Sequence, residues 1–112
     1  MINAQFDPDS IHGRLTAFLD EWSIRHFEWR ERIGFKRPIT SHLGILHSKV
    51  YTRIVDVEDG DYKSVNAFVD MSTGDIYYPA GWCKPAKHVR GNLFSECGGL
   101  EALDGHHIRT LS

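Results

Sequence analysis

The hydrophobic period of this chain changes near its middle, and that change limits the folds open to it more than any other feature. In the first part, apolar and aromatic side chains recur at Ile11, Leu15, Phe18, Leu19, Trp22, Trp29 and Ile33. Those spacings lay one stripe along a 3.6-residue helical period. In the second, KVYTRIVDV (49–57) and YKSVNAFVD (62–70) roughly alternate and are rich in β-branched and aromatic residues, the pattern of half-buried strands. Neither pattern hides its apolar side alone, so an amphipathic helix must lie on a sheet.

Local punctuation sharpens this reading. Asp7 and Pro8 have the chemistry of an N-cap and a first helical residue. Gly13 weakens the first turns, so ordered helix is expected after it. Gly34 is a C-terminal stop with Pro38 beyond. Asp20, Glu21, Arg25, Glu28, Arg30 and Glu31 fill much of the other side. Trp22 and Trp29 fit either a core-facing ridge or a helix offered to a partner, and the core is preferred because a small sheet needs a cover.

Between the two alternating segments, EDGD carries the Asp59-Gly60 hairpin signal. MSTGD places Gly74 in a second turn, and IYYPAGW follows as a third strand that Pro79 confines to an edge or ends in a bulge. ITSHLGILH (39–47) adds a strand before the hairpin or extends its first strand. The expected fold is α+β: a long N-terminal helix packed on a three- or four-stranded antiparallel meander. A short helix or loop follows from Pro85, then an irregular tail, ECGGLEALDGHH. At 112 residues, 41% of them hydrophobic, residues 1–112 form one domain able to build a core without staples. No run approaches the ~20 apolar residues of a membrane span, and MINAQFDPDS lacks a signal-peptide layout, so no membrane partner and a cytoplasmic location are expected. Cys83 and Cys97 are too few for a disulfide scaffold and fit reduced thiols, with one bridge between them left open.

Charge marks a candidate site. Acidic residues outnumber basic ones fifteen to thirteen, yet none lies between Asp75 and Glu96, where YYPAGWCKPAKHVRGNLF (77–94) gathers Lys84, Lys87, His88 and Arg90 beside aromatic rings. A cationic patch on a mildly acidic protein points to an anion. A helix starting at Pro85 would turn its N-terminal N–H groups toward that anion. Arg90 would add a bidentate fork, Asn92 a neutral donor and acceptor, and Trp82, with Tyr77 or Tyr78, a stacking surface. The expected ligand-binding residues are therefore Trp82, Lys84, Lys87, His88, Arg90 and Asn92. The competing reading is that Trp82 caps the core, the lysines are solvated, and Arg90 pairs with Asp70, Asp75 or Glu96. Cys83, His88, Cys97, His106 and His107 match no paired zinc spacing, so no metal and no cofactor are assigned.

The order AFVDMSTGDIYYPAGWCKPAKHVRGNLF and the ending LDGHHIRTLS resemble a family of short, mostly uncharacterised bacteriophage proteins with a TGD turn, a Trp, a PAK step and an RGN tripeptide. The resemblance covers about the carboxy-terminal half. Cys83 and Asn66 depart from it, Asn66 standing in a strand where a less polar residue is expected. It implies a viral origin and a small accessory role in the host cytoplasm.

Three functions follow. The first is non-enzymatic binding of a nucleotide, its cyclic derivative or nucleic acid through residues 82–92. The second is capture or inhibition of a host protein through a shape-complementary surface, with a homo-oligomer also open. The third is a small hydrolase or transferase using Cys83 or a histidine, Cys83 with His88 or His47 being the pair considered. A net charge of −2 favours a compact nucleotide over a polymer.

Overall fold

The computed structural model of the chain describes residues 10–34, 41–104 and 107–108. Helix α1 runs Ile11–Arg32, and Ser10 caps it, its Oγ accepting the Gly13 N–H at 3.1 Å. This cap satisfies an otherwise orphaned donor and starts the helix ahead of Gly13, which lies buried inside it. Asp7 and Pro8, expected to cap, lie outside the described residues. At the other end Gly34 takes a φ of +69° and its N–H donates to Glu31 O, while Arg30 and Arg32 in the last turn suit the negative end of the dipole.

Five antiparallel strands follow as a meander in chain order: β1 (Ser41–His47), β2 (Tyr51–Glu58), β3 (Asp61–Asp70), β4 (Asp75–Gly81) and β5 (Lys84–Asn92). The expected α+β architecture holds, with Ser41–His47 of the expected 39–47 segment forming an edge strand of its own. Asp59 and Gly60 turn between β2 and β3 with φ of +53° and +82°, both positive, as a tight hairpin demands.

The expected helix or loop from Pro85 is instead the fifth strand. Residues 84–92 hold a single large aliphatic, Val89, so composition carries no strand signal. What decides is the free edge of β4, whose backbone groups need partners. Asp75 and Ile76 pair with Asn92 and Gly91, and irregular register absorbs the prolines further along. Pro79 is therefore not on an edge but in a bulged interior strand, the second of its two expected outcomes.

One face of the sheet carries the core. Leu15, Phe18 and Trp22 of α1 pack on Leu43, Ile54, Ala67, Val69 and Ile76. The tail expected to be irregular joins them. A 3-10 turn (Leu100–Ala102) and a two-stranded ribbon of β6 (Leu103–Asp104) and β7 (His107–Ile108) bring in Ala102, Leu103 and Ile108. Gly99 permits the approach. It has a φ of +93°, and a Cβ there would stand 2.7 Å from Ile76 Cδ1. Glu101 latches this segment to β5, its carboxylate accepting the Asn92 N–H at 3.0 Å and the Ser95 hydroxyl at 2.7 Å. Among the described residues no helix is long and apolar enough to cross a membrane.

Candidate ligand-binding surfaces at the fork between β3 and β4

The six expected site residues do not converge. Asn92 is a structural hub: its Nδ2 donates to Thr73 O at 3.0 Å and Asp75 Oδ1 at 2.8 Å, and its Oδ1 accepts the Phe94 N–H at 2.8 Å. Arg90 is buried, its Nη1 donating to His88 O and its guanidinium carbon 5.6 Å from the Tyr78 ring centroid. Lys84, Lys87 and His88 are exposed along β5. Trp82 sits in the turn after β4, and its ring is 42% exposed rather than a cap on the core. Without a helix at Pro85, the dipole and free N–H groups expected of its N-terminus have no source.

Trp82 instead belongs to a cluster on the face of the sheet opposite α1. Cross-strand partners share a face, and the register gives one row across all five strands: Leu46, Arg53, Phe68, Tyr77 and Val89. Tyr51 meets the rings of Phe68 and Tyr77 edge-on, with centroids 6.0 and 5.8 Å apart. Arg53 lies amid these rings, its guanidinium carbon 5.6 Å from the Phe68 centroid and 5.7 Å from that of Trp82. Its Nε also donates to Trp82 O at 2.8 Å, fixing the turn to β2. One nitrogen is thereby used, and the two terminal nitrogens make no hydrogen bond among the described residues. No described helix lies over this face.

Charge is uneven along it. Arg53 marks one part, while Asp70 and Asp75 stand near Tyr77, whose hydroxyl titrates above its usual range because of partial burial first and those carboxylates second. Asp70 itself is held low by hydrogen bonds from the Ser72 side chain and N–H. An anion is therefore favoured at the Arg53 part and repelled beside Tyr77.

The shape of both surfaces comes from a split in the sheet. β3 pairs with β4 only at Phe68–Tyr77 and Val69–Ile76. Register shifts after Ile54 and Asp56 bend β3 on one side, while Pro79 has no N–H to offer on the other. The strands part, and Val65 and Pro79 line a hollow on either side of the gap. On the open face this is a groove of about 310 Å³ ending at Trp82 and floored by Ser64, Ala80 and Gly81. On the helix side it is a cavity of about 410 Å³ reaching Trp22, His26, Leu43, Asp56, Asn66 and Tyr78.

Nucleophile and metal chemistry find no assembled site here. Cys83 and Cys97 are free, exposed thiols, so the bridge left open by sequence does not form. No hydrogen bond joins Cys83 to a histidine among the described residues, and His47 Nδ1 is paired with Thr52 Oγ1 at 2.9 Å. No group of three or more metal-ligating side chains comes together among the described residues; His106 lies outside them.

Sequence reasoning missed Arg53, Tyr51, Asp56 and His26. Two signals existed: Asp56 stands between Val55 and Val57 and Asn66 between Val65 and Ala67, and Arg53 stands between β-branched residues. The partners these residues meet are distant in sequence, so their roles were not legible. Neither a curated protein nor a solved structure matches the chain. A family model described as a family of unknown function, DUF7717, matches residues 13–105. That span takes in α1 from Gly13 onward, all five strands of the meander and the residues lining the two hollows except His107 and Ile108, and the chain belongs to this family.

Proposed function

We propose that this protein is a small non-enzymatic binding module for an anionic, ring-bearing ligand of the nucleotide class, which it holds on the open face of its sheet. The observation that carries the reading is the pairing of a ring 42% exposed, Trp82, with the Arg53 guanidinium bound to its own carbonyl. A flat ring offers stacking of about 1–3 kcal/mol to a base. A guanidinium whose terminal nitrogens make no hydrogen bond among the described residues supplies a fork for phosphate. The adjoining groove gives the base an edge to enter. Lys84 and Lys87, exposed on the neighbouring strand, add field rather than direct contacts. An accessory role in a bacteriophage, as the carboxy-terminal resemblance implies, accords with a module of this size.

Titration calorimetry with nucleoside mono-, di- and triphosphates, cyclic nucleotides and a short single-stranded oligonucleotide tests this. Saturable binding is expected, weakened about tenfold or more by Arg53→Ala and by Trp82→Ala, and unchanged by Glu21→Ala on the distant helix. Binding that survives both substitutions in folded protein contradicts the reading.

A second reading, capture of a host protein, has its own observation: Ile24 and Phe27 of α1 are each 51% exposed. It predicts a defined complex that Phe27→Ser abolishes and Arg53→Ala leaves intact.

A further inference from the structure

On the helix side of the fork the sheet departs from its apolar rule. Asp56 stands opposite Leu43, a core residue, across β1 and β2, and two positions beyond the buried Ile54. Its carboxylate thus belongs to the interior side and lines the cavity with Trp22 and Tyr78. A carboxylate in such a place is costly unless donors hold it. Asn66 Nδ2 donates to Oδ1 and Ser64 Oγ to Oδ2, both at 3.0 Å. Each oxygen of an ionised carboxylate accepts more than one donor, so these bonds fix the group's orientation while leaving acceptor capacity.

The other walls limit what can enter. Tyr78 offers a broad ring, Trp22 is almost fully buried, and Leu43, Val65, Pro79 and Ile108 line the rest with apolar surface. The Tyr78 hydroxyl makes no hydrogen bond among the described residues. His26, half-buried, titrates below its usual range through burial first and Arg30 second, with Asp56 opposing. It is thus a neutral donor and acceptor near pH 7. A volume of about 410 Å³ lies within the range of small-molecule sites. An anion is repelled by Asp56, and a purely apolar guest strips water from the carboxylate without replacing it.

We propose that this cavity binds a planar small molecule presenting two adjacent N–H donors, the amidine or guanine-type edge, with Asp56 as its paired acceptor and the ring of Tyr78 as a flat wall. The site is distinct from the Trp82–Arg53 pair, neither of which lines it, although the two hollows share Val65 and Pro79 at the gap.

The probes are guanosine and benzamidine, set against adenosine and benzamide, which lack the paired donor edge. Titrated at millimolar concentration into isotope-labelled protein, the first two are expected to give saturable amide shifts centred on His26, Asp56, Asn66 and Tyr78. The second two are expected to give none there. Asp56→Asn weakens guanosine and benzamidine about tenfold or more at this cavity, and Glu21→Ala on α1, outside the cavity lining, changes neither. Should Asp56→Asn fail to fold, Tyr78→Leu, which removes the flat wall, is expected to weaken both donor probes about tenfold, and undiminished binding in that folded variant overturns the proposal. Absence of shifts with both donor probes overturns the proposal. So does equal binding of adenosine, or undiminished binding in the folded Asp56→Asn variant.

Discussion

The two faces of the sheet use the same kinds of side chain to opposite ends. Beneath α1, Phe18 and Trp22 are about 1% exposed and lock against Ile54, Val69 and Ile76. Across the sheet, Phe68 is equally buried, but its cover consists of Tyr51, Arg53 and their neighbours rather than a second layer of structure. Trp82 keeps 42% of its surface exposed. An aromatic residue is a core residue or a recognition residue according to what lies over it. Around Phe18 and Ile76 the helix face excludes water to stabilise the fold, and the open face retains a guanidinium and a partly exposed ring.

This contrast is open to experiment at several strengths. The largest effect belongs to the core: Trp22→Ala should lower unfolding free energy by about 3–5 kcal/mol, against under about 1 kcal/mol for Trp82→Ala. Chemical denaturation of the two variants side by side checks the difference, and equal losses would dissolve the distinction between the faces. Next is the close approach of the tail. Gly99→Ala must place a Cβ 2.7 Å from Ile76 Cδ1 and 3.2 Å from Phe18 at a φ of +93°, at a cost of about 1–3 kcal/mol. An unchanged melting temperature would mean the tail is not part of the core.

A smaller effect lies in the Glu101 latch. Partial burial alone would raise this carboxyl, but hydrogen bonds from Ser95 and the Asn92 N–H outweigh it and hold the group below its usual range. With a depressed folded value, its stabilisation is fully present above the ordinary carboxylate range and is lost as pH falls through that folded value. Glu101→Gln should therefore melt earlier at neutral pH and show a shallower loss on acidification. Parallel acid limbs in the two proteins would remove Glu101 from the account.

How much of this was legible beforehand depended on the range of the interactions. The α1 stripe, the Asp59-Gly60 turn and the β2–β3 pair are local patterns, and each was readable from neighbouring residues. β5 was not, because Lys84–Asn92 becomes a strand only where β4 presents an edge to it. The same limit applied to the site. Lys84, Lys87, His88, Arg90 and Asn92 are adjacent in sequence, yet the fold spends Asn92 on turn geometry and buries Arg90 against Tyr78. Trp82 finds its cationic partner 29 positions away, in Arg53. Asn66 looked out of place among apolar neighbours, and its reason, the Asp56 carboxylate, lies on the paired strand.

The most direct test of the central claim is calorimetric titration of the nucleotide panel into wild-type protein, Arg53→Ala and the core-neutral control Glu21→Ala. The account predicts a saturable nucleotide isotherm in the wild type and the control, and about a tenfold or greater loss in Arg53→Ala without loss of fold. Identical isotherms in all three proteins, or no heat with any nucleotide, would contradict it.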